Sequence, residues 1–151
     1  MKFSNILVPI SGISVDDEAI RIACEIAKRD KAKILAVRVI EVERGLPLDA
    51  EQSAEIQRAE KNLEQAQRAA KSAGCSIETD LLQSRAAGTA LVDEAAERGV
   101  DLIIIGLPHR KKLGALYLGA TTMHVLKNAA SWVWLCREPE PGEKKSAAPK
   151  N

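Results

Sequence analysis

The chain has 151 residues, the size of one domain, long enough to bury a core without disulfides or a metal. Its 22 Lys and Arg against 21 Asp and Glu leave a net charge of +1, which argues against a strongly basic nucleic-acid binder. Aromatic residues make up 3%, too few for a base-stacking platform, and no apolar run approaches the ~20 residues that span a bilayer.

Residues 5–10 are apolar and β-branched and stop at Ser11-Gly12, so they predict a strand. Ser14 stands as the N-cap of a helix with Asp16, Asp17 and Glu18 in its first turn, where the helix dipole favours negative charge. Ala19, Ile22, Ala23, Ile26 and Ala27 then recur on one helical face, with Cys24 beside them as a packing residue. Residues 33–40 predict a second buried strand, and residues 41–50, containing Gly45 and Pro47, a loop. A long polar helix over 51–73 carries Ala59, Leu63, Ala66, Ala70 and Ala73 on one face and stops at Gly74. Residues 76–82 alternate like a strand with one wetter face, and 88–98 read as a helix closed by Gly99. The most hydrophobic strand covers 100–105, with Gly106 as its end. A loop over 107–118 leads to a helix over 119–128 and a last strand over 132–137. Residues 1–137 therefore form one α/β domain, and the Pro-, Lys- and Glu-rich tail, 138–151, is expected to be disordered.

Strands alternating with helices imply right-handed crossovers and a five-stranded, mostly parallel sheet with helices on both faces. In such doubly wound folds ligands sit beyond the carboxyl ends of the strands, where the strand order reverses. Segment 106–121 then draws notice: a glycine at a strand end, a basic loop with His109, Arg110, Lys111 and Lys112, and Gly119 opening a helix. Amides at a helix N-terminus can face a phosphate, but the segment is neither a Walker A loop nor GxGxxG. On spacing alone, a solvated loop is the favoured reading.

Cys24, Cys75 and Cys136 are widely separated and only two histidines are present, so no structural zinc site is expected. The apolar run after Met1 is too soon broken for an export segment, which points to the cytoplasm. His124 reads as a packed or capped helix residue, Cys136 as buried and inert, and Asp16 and Asp17 as helix charges. Neither histidine has a sequence neighbour that suggests a catalytic triad.

The start ILVPISG, the strand DLIIIG over 101–106, and Gly106 and Gly119 spaced as in G-x2-G-x9-G-[ST] together resemble the universal stress protein family over residues 5–137. The resemblance implies a five-stranded parallel α/β fold, a homodimer, and, in one group of members, ATP or AMP in the crevice. In those members an Asp ends the first strand, a Val of the second lies near the base, and the glycine loop wraps the phosphates. Carried over, Pro9, Ser11, Val39, Gly106, His109, Arg110, Gly119, Ala120 and Thr121 would form the nucleotide site. Three positions depart from the pattern: Ser11 replaces the Asp, His109 the middle glycine, and Ala120 the Ser or Thr. Thr121, one place later, partly compensates.

Trp132 and Trp134 share one face of the last strand with Leu135 opposite. Either they pack against a second subunit, as the family's use of this strand implies for Trp132, Val133, Trp134 and Leu135, or they cover their own helices. The expectation is a non-enzymatic, cytoplasmic dimer in the stress response, with unidentified protein partners, neither nucleic acid nor membrane among them, and weak or no nucleotide binding. The alternative is a switch that binds ATP or AMP.

Overall fold

Phe3, Ser4 and Asn5 bring the chain into its sheet with their amides held by two carboxylates far away in sequence. Phe3 donates to Asp30 Oδ2 at 2.8 Å, and Ser4 and Asn5 donate to the two oxygens of Asp101 at 2.8 and 3.0 Å. The computed structural model describes residues 1–109, 111–112, 115–116 and 118–140. From Asn5 the order is β1 (Asn5–Pro9), α1 (Val15–Asp30), β2 (Lys33–Glu41), α2 (Ser53–Ser72), β3 (Glu78–Ser84), α3 (Ala87–Glu97) and β4 (Leu102–Leu107). The two-residue strands β5 (Lys111–Lys112) and β6 (Ala115–Leu116), α4 (Ala120–Asn128) and β7 (Trp132–Arg137) follow.

The main sheet is five-stranded and parallel, in the order β3-β2-β1-β4-β7. Its central strands are apolar on both faces because both are covered. Ile6, Val8 and Ile104 pack with Ala19, Ala23, Leu63, Ala66 and Ala70 of α1 and α2. Leu7, Val37, Ile103 and Ile105 pack on the opposite face with Leu91, Ala95 and Val125 of α3 and α4. The small-residue face expected of α2 is the buried one: Ala59, Leu63, Ala66 and Ala70 are all in the core.

The element order follows the sequence reading, with several differences at element ends. α2 begins at Ser53 and β3 spans Glu78–Ser84, two residues later than the expected starts in each case. β4 runs through Gly106 to Leu107, because β7 supplies partners for both: Gly106 pairs with Cys136 and Leu107 with Arg137. The expected loop over 107–118 contains the antiparallel pair β5 and β6. At the start of the tail, Glu138 N–H donates to Leu107 O at 2.9 Å and continues that ladder, while residues 141–151 lie outside the described residues.

α3 and α4 approach closely at Gly88, where an added Cβ would lie 2.7 Å from His124 Cβ. The expected packing role of His124 is thus its contact with α3, and its carbonyl accepts from Asn128 Nδ2 at 2.9 Å. Gly88→Ala should destabilise the fold by about 1–2 kcal/mol in urea unfolding, overpacking outweighing the gain in helix propensity. Gly45→Ala, with nothing within 4 Å of its Cβ, should be neutral.

The Arg29 guanidinium at 2.6 Å, with the Phe3 amide, lowers the Asp30 carboxyl from 3.8 to about 2. A depressed folded-state value means that the stabilisation is present above the unfolded pKa and lost as pH falls. Urea midpoints should accordingly fall as pH drops from 3.8 toward about 2, and Asp30→Asn should flatten that part of the profile.

Candidate functional site

The reversal of strand order lies between β1 and β4, and their carboxyl ends diverge there. They open a crevice of about 450 Å³, floored by Pro9, Ile10 and Ser11, by Val37 to Glu41 of β2, and by Ile105 to Pro108. Ala87 and Leu91 of α3, with Leu118, Thr121 and Thr122 at the start of α4, close the other side. That volume is within the range of small-molecule sites, and the position is where doubly wound sheets bind ligands.

Of the residues singled out in the sequence, Pro9, Ser11, Val39, Gly106 and Thr121 meet in this crevice. Gly106 is there for packing: a Cβ would stand 3.0 Å from Val15 O, so the glycine lets β4 pass the start of α1. Gly119 takes the N-cap position of α4 without any side-chain capping bond, and Ala120 is exposed; neither lines the crevice. His109 is also outside its lining. Its amide donates to Glu138 Oε2 at 3.4 Å, and its Nε2 lies 3.4 Å from Glu140 Oε1. Arg110 lies outside the described residues.

Polar groups of the crevice that sequence reasoning missed come from β2 and α2. Arg38 Nη1 donates to Val39 O at 3.1 Å, while its Nε is buried with no partner. Glu41 Oε2 accepts from the Ala87 amide at 2.9 Å and so caps α3, whose own N-cap residue is an alanine. Glu55, from the first turn of α2, stands at the rim. Glu41 at the strand end reads as a loop boundary and Arg38 as a lone charge within a buried strand, and only the tertiary fold gives them a site to line.

Asp16 also differs from its expected role. Ser14 holds the N-cap position of α1 but makes no capping bond. Asp16 instead turns back into the β1–α1 loop, where Oδ2 accepts the amides of Ser11, Gly12 and Ile13 at 3.0, 2.8 and 3.1 Å. Successive amides converging on one point make an anion seat, and here the chain's own carboxylate occupies it. Burial raises the Asp16 carboxyl above its ordinary value, and the three amides pull the other way.

On β7, the two indoles that share a face have different fates. Trp134 packs edge-on to Phe3 with ring centroids 5.5 Å apart, covering its own α1-side core. Trp132 is 57% exposed and Leu135 39% exposed on this edge strand. Val133 packs against the opposite core, and Cys136 is half-buried where a buried thiol was expected. Among the described residues, no group of three or more His, Cys, Asp or Glu is placed to hold a metal, and no helix is long and apolar enough to cross a membrane.

The sequence profile of the universal stress protein family matches residues 2–137. A universal stress protein of Methanocaldococcus jannaschii is 28% identical over 144 residues, spanning 91% of this chain and 84% of its own. The structure of a universal stress protein from Archaeoglobus fulgidus superposes with a TM-score of 0.77 at 22% identity, over 87% of this chain and 97% of that one. One from the same organism in complex with dAMP gives a TM-score of 0.73 at 20% identity, over 89% and 98%.

Asp16→Ala should cost about 2 kcal/mol, since three loop amides lose their acceptor, while Asp16→Asn, which keeps an acceptor oxygen, should cost under about 1 kcal/mol. Because the folded-state value is raised, the wild-type contribution is complete at low pH and declines as pH rises through the folded pKa. The gap between wild type and Asp16→Asn in urea unfolding should therefore narrow with rising pH.

Proposed function

The chain belongs to the universal stress protein family, and on that premise we propose that it acts by binding and not by catalysis, as a cytoplasmic dimer that engages protein partners in the stress response. Its crevice takes adenine nucleotide weakly or not at all. The observation that carries this reading is the β1–α1 loop. Ser11 offers no carboxylate there, and the loop's amides are already spent on Asp16. The charges lining the crevice also oppose a polyphosphate, with Glu41 and Glu55 set against Arg38. Among the described residues, His109 lies beside Glu138 and Glu140, and His124 against Gly88. The exposed Trp132 and Leu135 on an unpaired sheet edge support a dimer built through β7.

A second reading, an ATP- or AMP-binding switch, is favoured by one feature. Pro9, Ser11, Val39 and Thr121 line a crevice large enough for a nucleoside, next to a helix N-terminus with no side-chain cap. The dAMP complex of the Archaeoglobus fulgidus protein is consistent with such an occupant.

Calorimetric titration with ATP, ADP and AMP, with and without magnesium, separates the two. The expected result is no heat at millimolar ligand and no adenine nucleotide carried through purification. Micromolar binding would establish the switch instead. Ser11→Asp should tighten AMP binding by about tenfold, the worth of one charge-assisted hydrogen bond.

A further inference from the structure

We propose that the crevice continues into a carboxylate site, where Arg38 and Arg58 hold the head of a small monocarboxylic acid whose apolar body lies along the aliphatic walls. Between the β1–α1 loop and α2 lies a second cavity of about 390 Å³. Ser11, Arg38, Ile40 and Glu55 line both it and the crevice, so the two are lobes of one depression. The inference rests on the reading of that crevice as a site with little hold on nucleotide.

The second lobe is built on the face of α2 that carries Glu55, Arg58 and Asn62, spaced i, i+3 and i+7. Asn62 closes it against the loop: a Cβ on Gly12 would stand 3.0 Å from Asn62 Oδ1. The loop amides there are held by Asp16, which leaves side chains as the donors. Among the described residues neither Arg38 nor Arg58 forms an ion pair, although Glu55 lines the same lobe.

Arg38 is set apart by an unmet donor. It is the half-buried residue within an otherwise buried run of β2, and Val39 O at 3.1 Å is the one acceptor that its guanidinium meets among the described residues. Its Nε is buried without a partner. A buried donor of a charged group left unpaired is costly. A bound carboxylate, set side-on against Nε and Nη2, supplies the acceptor in the paired arrangement that suits two planar groups.

Charge and lining select the ligand class. Two guanidiniums against one carboxylate leave this lobe with one surplus positive charge, which suits a monoanion. Glu55, with Glu41 in the adjoining lobe, repels the further charges of a polyphosphate. Beyond Arg38 the crevice has no other cation among its described lining residues, and Val37, Val39, Leu91 and Ile105 offer aliphatic surface. The remainder of the ligand is therefore uncharged and largely apolar.

The test titrates hexanoate, hexanamide, acetate and inorganic phosphate into the full chain, followed by NMR of the backbone amides and the arginine Nε–H groups. Hexanoate should saturate at millimolar concentration or below, moving the signals of Ser11, Gly12, Ile40 and the Arg38 Nε–H. Hexanamide lacks the charge and acetate lacks the body, so each should bind about tenfold more weakly or worse. Arg38→Gln should weaken hexanoate by about tenfold, and Arg58→Gln, on an exposed helix face, by about threefold. Should Arg38→Gln fail to fold, Arg58→Gln and the wild-type ligand series decide. No saturable shift with hexanoate, or shifts confined to residues outside the two lobes, would overturn the site. Hexanamide, acetate or phosphate binding as tightly as hexanoate through the same signals would overturn the ligand class. AMP titrated into a separate sample keeps the two readings apart, since micromolar AMP affinity counts against weak nucleotide binding whatever hexanoate does.

Discussion

Everything in this molecule depends on β1 being paired on both sides. Asn5–Pro9 is only five residues long, yet it pairs with β2 along its whole length and with β4 through Ile6 and Leu7. A strand so placed has no edge and no wet face, which is why it is written as a run of apolar residues. The same placement makes the crevice. Successive units are laid down on one side of β1, then the chain crosses to the other side for β4, so the loops leaving β1 and β4 part from each other.

What fills and lines that gap sets its chemistry. Its walls mix aliphatic side chains, among them Val37, Val39, Ile105 and Leu91, with the polar ones of Ser11, Arg38, Glu41, Glu55, Thr121 and Thr122. Glu41 is committed to the start of α3, and one face of Arg38 to the Val39 carbonyl. Beside the crevice, one Asp16 oxygen accepts three consecutive amides of the β1–α1 loop.

The strands and helices were legible because their burial is periodic or continuous. The runs 5–10 and 33–40 and the alanine-rich face of α2 carry that signal in their spacing alone. The G-x2-G-x9-G spacing led to Gly106 and Thr121, which do line the crevice, but also to Gly119 and Ala120, which do not. Spacing gives no direction for a side chain. Asp16 had the composition of an ordinary helix first turn, and its reversal into the loop goes with a positive φ at Gly12 that spacing does not reveal. Arg38, Glu41 and Glu55 were invisible for a different reason: their meeting depends on β2 lying beside β1, a fact of topology with no local pattern.

The carboxylates that hold the first strand have a consequence for how the protein is made. Asp101 binds the Ser4 amide across 97 residues, and Asp30 binds that of Phe3 across 27. As the chain leaves the ribosome, β1 can first join only β2, and its other edge waits for most of the remaining domain to be synthesised. Until then the nascent protein carries an open apolar strand edge, of the sort that chaperones shield and that pairs wrongly in crowded conditions. The segment translated first is thus among the last to reach its final surroundings, and long-range closure should govern the pace of folding.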